Sequence, residues 1–297
     1  MLGAGLILFL AALQGATELF PVSSLGHAVV VPPLLHINFN ESDPAFVPVL
    51  TVLHLGTAGA LLLLYWREWL GIVRGFVRAA IRGRISDPDE RLAMMLVVGT
   101  IPTAVVGFFF LTPLTSLFGH PRASAAFLIV NAGILLGAEG FRRRDERAHA
   151  HRPAHAVQSV GELRHATGDP SYAGVEGLSL RTALVVGACQ IAALFPGISR
   201  SGVTMAAGLM AGLRHQEAAR FAFLLATPII LAAGLVEVPQ LGPNGPGAGL
   251  AVGAAALAGV AAYISARFLL RYLRFGRLDP FAYYCAALGA AGLILLR

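Results

Sequence analysis

Long apolar runs alternate with short polar segments along this chain of 297 residues. A helix needs about 20 apolar residues to cross the hydrocarbon core of a bilayer. Six runs meet that standard and predict membrane-spanning helices at residues 45–66, 92–114, 123–141, 218–238, 247–270 and 280–296. The pattern therefore predicts an all-α polytopic membrane protein with six transmembrane helices.

Two further apolar regions, residues 2–35 and 180–213, are interrupted at Pro21 and at Pro196-Gly197 respectively. Proline stops a helix because it lacks an N–H donor, and glycine permits a sharp bend. Each half of these regions is then about 12–18 residues long, which is shorter than a full span. We therefore predict that both regions form re-entrant helical hairpins.

Arginines segregate to one side of this topology. The chain contains no lysine, and if each hairpin returns to its own side, loops 67–91 and 142–181 face the same side. Six further arginines are predicted on that side, namely Arg214, Arg220, Arg267, Arg271, Arg274 and Arg277. The predicted loops and termini of the other side contain only Arg122 and Arg297. Because basic loops stay in the cytoplasm, both termini are predicted to lie outside.

The predicted elements repeat. Residues 1–141 and 179–297 each begin with a broken hairpin and continue with three spans, and a cytoplasmic loop at 142–178 joins them within one integral membrane domain. Three spans per half place the second hairpin on the opposite face, so the repeat is inverted. Broken helices at matching positions of inverted halves indicate a binding site near the midplane.

The amino-acid composition also indicates an integral membrane protein. The chain is 56% hydrophobic and 13% charged, whereas a soluble domain is about 25% charged. The net charge of +6 comes from arginines between apolar runs, which indicates membrane topology rather than nucleic-acid binding. Cys189 and Cys285 lie alone in apolar stretches and predict neither a disulfide framework nor a zinc site. The first apolar run lacks the basic start and cleavage site of a removable signal peptide.

Ionisable groups at membrane depth are costly and usually functional. Glu18 and His27 belong to the first hairpin, and Arg200 lies between Ser199 and Ser201 at the second break. Gln14 and Glu18 share a helix face, and Ser24 and His27 lie close together on the next helix. The two breaks thus concentrate the polar chemistry of the membrane region.

These residue types suit a phosphate group. The planar guanidinium of Arg200 matches phosphate oxygens, and each break precedes a helix whose amino-terminal amides attract anions. Further predicted phosphate-binding residues are Ser23, Ser24, Ser199 and Ser201 as hydroxyl donors and Gly197 and Gly202 as points of close backbone approach. His27 can act as nucleophile or transfer a proton. Glu18 can orient His27, handle a proton or bind a divalent cation.

Residues 14–27 and 196–204 resemble the two signatures of the undecaprenyl-diphosphate phosphatases of the bacitracin-resistance type. The resemblance extends to residues 54–57 and 221–225, and loop 142–178 is unlike the rest. It implies ten helices, of which six span the membrane and four form two re-entrant hairpins. It further implies an outward-opening site, homodimers in the bacterial plasma membrane, stimulation by Mg²⁺ or Ca²⁺, and recycling of the polyprenyl carrier of cell-wall synthesis by hydrolysis of its diphosphate.

The resemblance also assigns roles by position. It makes Glu18 the acidic motif residue and possible metal ligand, Ser24 and His27 the catalytic pair, and Arg200 the phosphate ligand. Supporting residues are Gln14, Gln190 and His54. The nucleophile stays open between His27 and Ser24, and His27 is favoured because a serine needs a base. Gln14 stands where the family has Glu or Gln, which weakens models with two metal-binding carboxylates.

The sequence also permits a second function, and several further residues have their own interpretations. Inverted repeats with broken helices also occur in transporters, so a polyprenyl-phosphate transporter or flippase is the alternative function. His149, His151, His155 and His165 predict a solvated loop rather than a metal site. Residues 67–84 predict an amphipathic surface helix at anionic headgroups. His54 either borders the site or packs structurally, and Glu217 is predicted as a charge at a helix amino terminus.

Overall fold

The fold is given by a computed structural model that describes residues 2–37, 43, 45–115, 120–150, 174–240 and 246–296. Within these ranges the chain is helical and contains no strand. The α-helices are α1 (Ala4–Thr17), α2 (Ser24–Leu34), α3 (Phe46–Leu64), α4 (Trp66–Arg82), α5 (Pro88–Thr115), α6 (Pro121–Ala150), α7 (Leu180–Cys189), α8 (Arg200–Met210), α9 (His215–Glu237), α10 (Ala248–Tyr272) and α11 (Asp279–Leu295). Short 3₁₀ turns lie at Val175–Gly177, Gln190–Leu194 and Val238–Gln240.

Five helices are long and apolar enough to cross a membrane, namely α3, α5, α6, α9 and α10. The sixth predicted span forms α11, which is apolar but has only 17 residues. Predicted and observed boundaries agree within a few residues except at the end of α6. That helix continues to Ala150, beyond the predicted end at residue 141. An ion pair of 3.2 Å between Arg142 and Glu146 supports this extension on one helix face.

Both interrupted regions form pairs of short helices, as the proline and glycine breaks predicted. The first hairpin, α1 and α2, has helices of 14 and 11 residues, and the second, α7 and α8, has helices of 10 and 11 residues. At 1.5 Å per residue these reach about 15–21 Å, less than the ~30 Å of a bilayer core. We call residues 18–27 the first break and residues 190–203 the second break, so that each includes the first turn of the helix that follows it.

The helices after the two breaks begin with the same cap. The Ser23 hydroxyl accepts a hydrogen bond from the Gly26 N–H at 3.1 Å and starts α2. The Ser199 hydroxyl accepts one from the Gly202 N–H at 3.0 Å and starts α8. A serine cap satisfies an amide that the first helical turn leaves unpaired.

The first helix of each hairpin packs against the other half of the chain. Helix α1 contacts α10, and helix α7 contacts α5. Small residues permit the first of these contacts, since a Cβ on Gly15 would lie 2.6 Å from the Cβ of Ala261. The hydrophobic effect does not drive helices together in lipid, so transmembrane helices commonly associate by close packing through small residues. Helices α6 and α11 also pack together and flank the breaks.

Helix α4 confirms the predicted amphipathic helix. It buries Ile72, Gly75 and Ala79 toward the start of α5. Its exposed apolar side chains are Trp66, Leu70, Val73, Phe76, Val77 and Ile81. The following turn leads to Asp87, whose carboxylate accepts the Glu90 N–H at 3.0 Å and pairs with Arg78 at 2.8 Å. The amide hydrogen bond and the arginine lower the pKa of Asp87.

A buried carboxylate ties both halves together at one end of the bundle. Glu139 on α6 is fully buried. It accepts the Leu278 N–H at 2.7 Å, lies 2.7 Å from His215 Nε2 and pairs with Arg277 at 3.4 Å. Since Leu278 precedes α11 and His215 opens α9, this carboxylate joins three helices. The first turn of α9 also contains Glu217, as predicted.

The predicted histidine-rich loop lies almost entirely outside the described residues. The backbone of His149 belongs to α6. His151, His155 and His165 fall in the part of the chain that the structure leaves undescribed, so the solvated-loop interpretation stays a prediction.

Candidate active site

The two breaks meet face to face. A Cβ on Gly26 would lie 2.9 Å from the Cα of Gly197. Asn131 on α6 bridges the breaks, since its Nδ2 donates to the Pro21 carbonyl at 2.9 Å and its Oδ1 accepts the Ser199 N–H at 3.0 Å. The structure thus brings together the two segments in which the sequence placed the chemistry.

Two residues of the breaks have left-handed backbone conformations. Gly197 has φ 107°, and a Cβ there would lie 2.8 Å from Phe127 Cβ, so only glycine fits. Ser23 has φ 68° without being glycine. A non-glycine residue in this region stores strain that its surroundings must hold. The strained residue directly precedes Ser24.

Glu18 is the centre of the site. Its Oε1 accepts a hydrogen bond from Arg200 at 2.8 Å, so the acid of the first break and the cation of the second form an ion pair. Its Oε2 accepts the Ser24 hydroxyl and the Gln14 amide at 2.9 Å, and it lies 3.2 Å from His54 Nε2. The Glu18 side chain is 6% exposed, and these contacts compensate the cost of burying its charge.

His54 therefore borders the site, which was one of the two alternatives that the sequence left open; the other was a structural packing role. Its Nδ1 lies 2.7 Å from the Leu50 carbonyl and its Nε2 faces Glu18. Both ring nitrogens thus face oxygen atoms that accept hydrogen bonds.

His27 is held away from Glu18. Its Nδ1 lies 2.6 Å from the Ser23 carbonyl and its Nε2 lies 2.8 Å from the Tyr284 hydroxyl. Within the described part of the chain it makes no hydrogen bond to Glu18. Of the three roles left open for Glu18, orienting His27 is therefore the one that this structure does not display. The reason is geometric, because α2 turns the ring toward α11, where it stacks on Tyr284.

The serines of the second break bind the first break. The Ser201 hydroxyl donates to the Phe20 carbonyl at 2.9 Å, and the Ser199 hydroxyl lies 3.4 Å from the same carbonyl and 3.0 Å from Ser201. A Cβ on Gly202 would lie 3.3 Å from Asn131 Oδ1, so this glycine permits close approach. These contacts hold the breaks together, and direct phosphate binding by Ser199 and Ser201 stays a prediction.

The two predicted supporting glutamines differ. Gln14 contacts Glu18, whereas Gln190 bonds within its own hairpin, to the Gly187 carbonyl at 3.4 Å. Both are buried, and the Oε1 atom of each has no hydrogen-bond partner in the described region. Gln14 thus places beside Glu18 an amide oxygen that has no hydrogen-bond partner among the described residues and could coordinate a cation.

A divalent cation can be tested against these donors. Among the described residues no three His, Cys, Asp or Glu side chains form a metal-binding group. Mg²⁺, however, is usually bound by one or two carboxylates together with substrate phosphates and water. The Glu18 carboxylate and the unpartnered Gln14 oxygen fit a cation shared with a phosphate substrate.

Comparison with known proteins identifies the family. The family model described as bacitracin resistance protein BacA matches residues 7–291. The chain belongs to the BacA family. The match spans both breaks of this BacA-family chain and confirms the resemblance inferred from residues 14–27 and 196–204.

Curated relatives cover almost the whole chain. A protein of Acidiphilium cryptum (strain JF-5) is 44% identical over 293 residues, which are 96% of this chain and 95% of the relative. One of Mycobacterium avium (strain 104) is 45% identical over 294 residues, or 96% and 94%. One of Granulibacter bethesdensis (strain ATCC BAA-1260 / CGDNIH1) is 42% identical over 293 residues, or 97% and 95%. All three are named undecaprenyl-diphosphatase.

Sequence reasoning missed two residues of this BacA site. Asn131 was detectable, because it is a polar amide within a predicted span, where polar groups are usually functional. Tyr284 carried no such signal, since tyrosines commonly occur in membrane helices near the interface. Only the packing of α11 against α2 and α6 reveals it.

Proposed function

We propose that this protein hydrolyses undecaprenyl diphosphate to undecaprenyl phosphate and inorganic phosphate, and so recycles the lipid carrier of cell-wall synthesis and confers bacitracin resistance. The observation that carries the proposal is the Ser24–Glu18–Arg200 cluster where the two breaks meet. It combines a hydroxyl, a base and a cation in a buried site at the amino termini of α2 and α8. Family membership and the names of the relatives agree with this chemistry.

The terminal phosphate would bind to Arg200 and to the helix ends. A guanidinium has five N–H donors, and Arg200 uses one nitrogen on Glu18, which leaves donors for phosphate oxygens. Helices α2 and α8 both begin at the breaks, and their positive ends favour an anion between them.

The geometry favours Ser24 as nucleophile over His27. The objection to serine was its need for a base, and Glu18 accepts the Ser24 hydroxyl hydrogen bond. In the proposed step, Ser24 Oγ attacks the terminal phosphorus and Glu18 takes its proton. The bridging P–O bond breaks, and its electron pair leaves with the polyprenyl phosphate. Water then hydrolyses the phosphoserine, and the proton returns from Glu18 to Ser24.

A cation would be held by Glu18 and the Gln14 Oε1 atom together with the diphosphate. When bound, Mg²⁺ or Ca²⁺ supplies positive charge that neutralises phosphate oxygens in the transition state. Ser24 and Arg200 act in the same way with or without it.

We further propose the finer topology. The short hairpin helices and their cross-packing on the opposite halves support two re-entrant hairpins in an inverted repeat with six spans. The arginine-rich side would be cytoplasmic and both termini outside, with α4 at anionic headgroups. By family resemblance the protein would be a homodimer in the bacterial plasma membrane, with a site that opens outward.

The test is phosphate release from purified protein acting on a polyprenyl diphosphate. We expect Glu18→Gln, Ser24→Ala and Arg200→Ala to lose most turnover, while the exposed Arg274→Ala, a matched arginine control, keeps it. Phosphoenzyme quenched during turnover should resist acid and be labile to alkali if it is phosphoserine. An acid-labile phosphoenzyme would transfer the nucleophile role to His27.

The transporter alternative rests on the paired broken helices. Protein in vesicles that moves polyprenyl phosphate between leaflets, but releases no phosphate with any divalent cation, would refute the hydrolase proposal.

A further inference from the structure

The protonation pattern of His27 follows from its neighbours. A carbonyl oxygen only accepts hydrogen bonds, so Nδ1 must donate to Ser23 across 2.6 Å. In the neutral ring the lone pair then resides on Nε2, and the Tyr284 hydroxyl at 2.8 Å donates to it. The two rings are stacked, with centroids 5.5 Å apart and planes at 10°.

His27 in turn holds the strained residue before the proposed nucleophile. The Ser23 carbonyl accepts both the His27 ring N–H at 2.6 Å and the His27 backbone N–H at 3.1 Å. Ser23 has φ 68°, a conformation that persists only when its surroundings fix it. Because Ser24 is bonded directly to Ser23, this turn sets the direction of the Ser24 hydroxyl toward Glu18.

Helix α11 presents two adjacent residues to the first break. Tyr284 contacts His27, and Cys285 is fully buried with its sulfur 3.8 Å from the Val22 carbonyl and 3.9 Å from the Pro21 carbonyl. The buried neighbour fixes the register of α11 against the break, and with it the position of the tyrosine.

We propose that Tyr284 is a positioning residue of the reaction, which acts through His27 on the Ser23 turn and so aims Ser24 at Glu18. This inference rests on the proposed function. It contrasts with a His27 nucleophile, which would have to release Nε2 from Tyr284 before attack. The two models predict opposite effects of removing the tyrosine hydroxyl.

The test compares Tyr284→Phe with Tyr283→Phe in full-length protein. Phenylalanine keeps the ring stacking and removes only the hydroxyl, and Tyr283, 63% exposed, is the adjacent control. We expect Tyr284→Phe to lower kcat about five- to tenfold, the worth of one hydrogen bond, with KM changed less than about twofold. Tyr283→Phe should leave both constants unchanged.

Two measurements establish that the effect passes through His27. The side-chain ¹⁵N resonance of His27 Nε2, assigned with His27→Gln, should move in Tyr284→Phe and not in Tyr283→Phe. In a His27→Asn background, Tyr284→Phe should have no further effect on kcat.

Unchanged or faster turnover in Tyr284→Phe, or an unmoved His27 resonance, would overturn the proposal. Failure of the proposed function has a different outcome, since the wild-type protein would then release no phosphate. The ¹⁵N measurement needs no turnover and would still decide whether Tyr284 holds His27.

Discussion

Replacement of Asn131 by alanine should loosen the contact between the two breaks. Asn131 is fully buried, and its amide joins the Pro21 carbonyl at 2.9 Å to the Ser199 N–H at 3.0 Å. Alanine removes both hydrogen bonds, which leaves the Ser199 N–H without its acceptor and the Pro21 carbonyl with only the weak Cys285 thiol contact at 3.9 Å. Each such group costs about 1–3 kcal/mol, so we expect a destabilisation of about 3 kcal/mol if the breaks relax partly.

The activity loss should exceed the loss of folded protein. Ser199 caps α8, whose first residue is Arg200, and Pro21 lies in the first break close to Glu18. A shift of about 1 Å between the breaks would separate Arg200 from Glu18, and such misplacements cost on the order of 100-fold in rate. The assay is phosphate release per folded molecule, with folding followed by thermal melting in the same detergent.

Two variants make the prediction specific. Asn131→Asp keeps an acceptor for the Ser199 N–H but loses the donor to the Pro21 carbonyl. Its rate of phosphate release should therefore lie between those of Asn131→Ala and the wild-type protein. Thr227→Val is the control, because Thr227 is equally buried and its hydroxyl donates to the Phe223 carbonyl of its own helix, with no other partner among the described residues. Wild-type melting and turnover in Asn131→Ala would refute the bridging role.

Three further outcomes are expected. Arg200→Ala should lower turnover at least about 100-fold and Arg200→Lys less, because lysine restores charge without the planar fork; wild-type phosphate release by Arg200→Ala would contradict its role. His27→Ala should be far more damaging than Ser23→Ala in the same assay, because the Ser23 carbonyl that His27 holds survives the second change; equal losses would contradict this order. Glu139→Ala should destabilise the protein by about 2–6 kcal/mol, since the Leu278 N–H and the His215 ring lose their partner, with turnover per folded molecule retained. An unchanged melting temperature would contradict it.

Much of the architecture was predictable because each feature has a local physical cause. Apolar length fixed the long helices, and Pro21, Pro196 and Gly197 marked the breaks. The shared location of Glu18 and Arg200 followed from the cost of charge in lipid, since ionisable groups in two matching breaks indicate one site. Their direct ion pair was not predicted. The end of α6 was misplaced because helix-stabilising pairs such as Arg142 with Glu146 act beyond the apolar run.

The contacts inside the site could not be predicted in the same way. Whether Glu18 meets Ser24 or His27 depends on how α2 is rotated about its axis, and that rotation follows from the left-handed Ser23. Serine carries no signal for such a conformation, which glycine and asparagine adopt more readily. The partner of His27 lies 257 positions away in sequence, so it depends on tertiary packing alone.

The caps explain how one repeated element supplies two chemistries. The sequence patterns around the breaks differ by one residue between the proline and the serine. In the structure, Ser23 and Ser199 each accept the amide of the glycine three residues later, so Ser24 and Arg200 occupy the same position, the first residue of the helix. One break therefore presents a hydroxyl and the other a guanidinium, and both reach the same carboxylate, Glu18. A phosphate placed between the two helix ends would meet nucleophile and cation together, which neither hairpin offers alone.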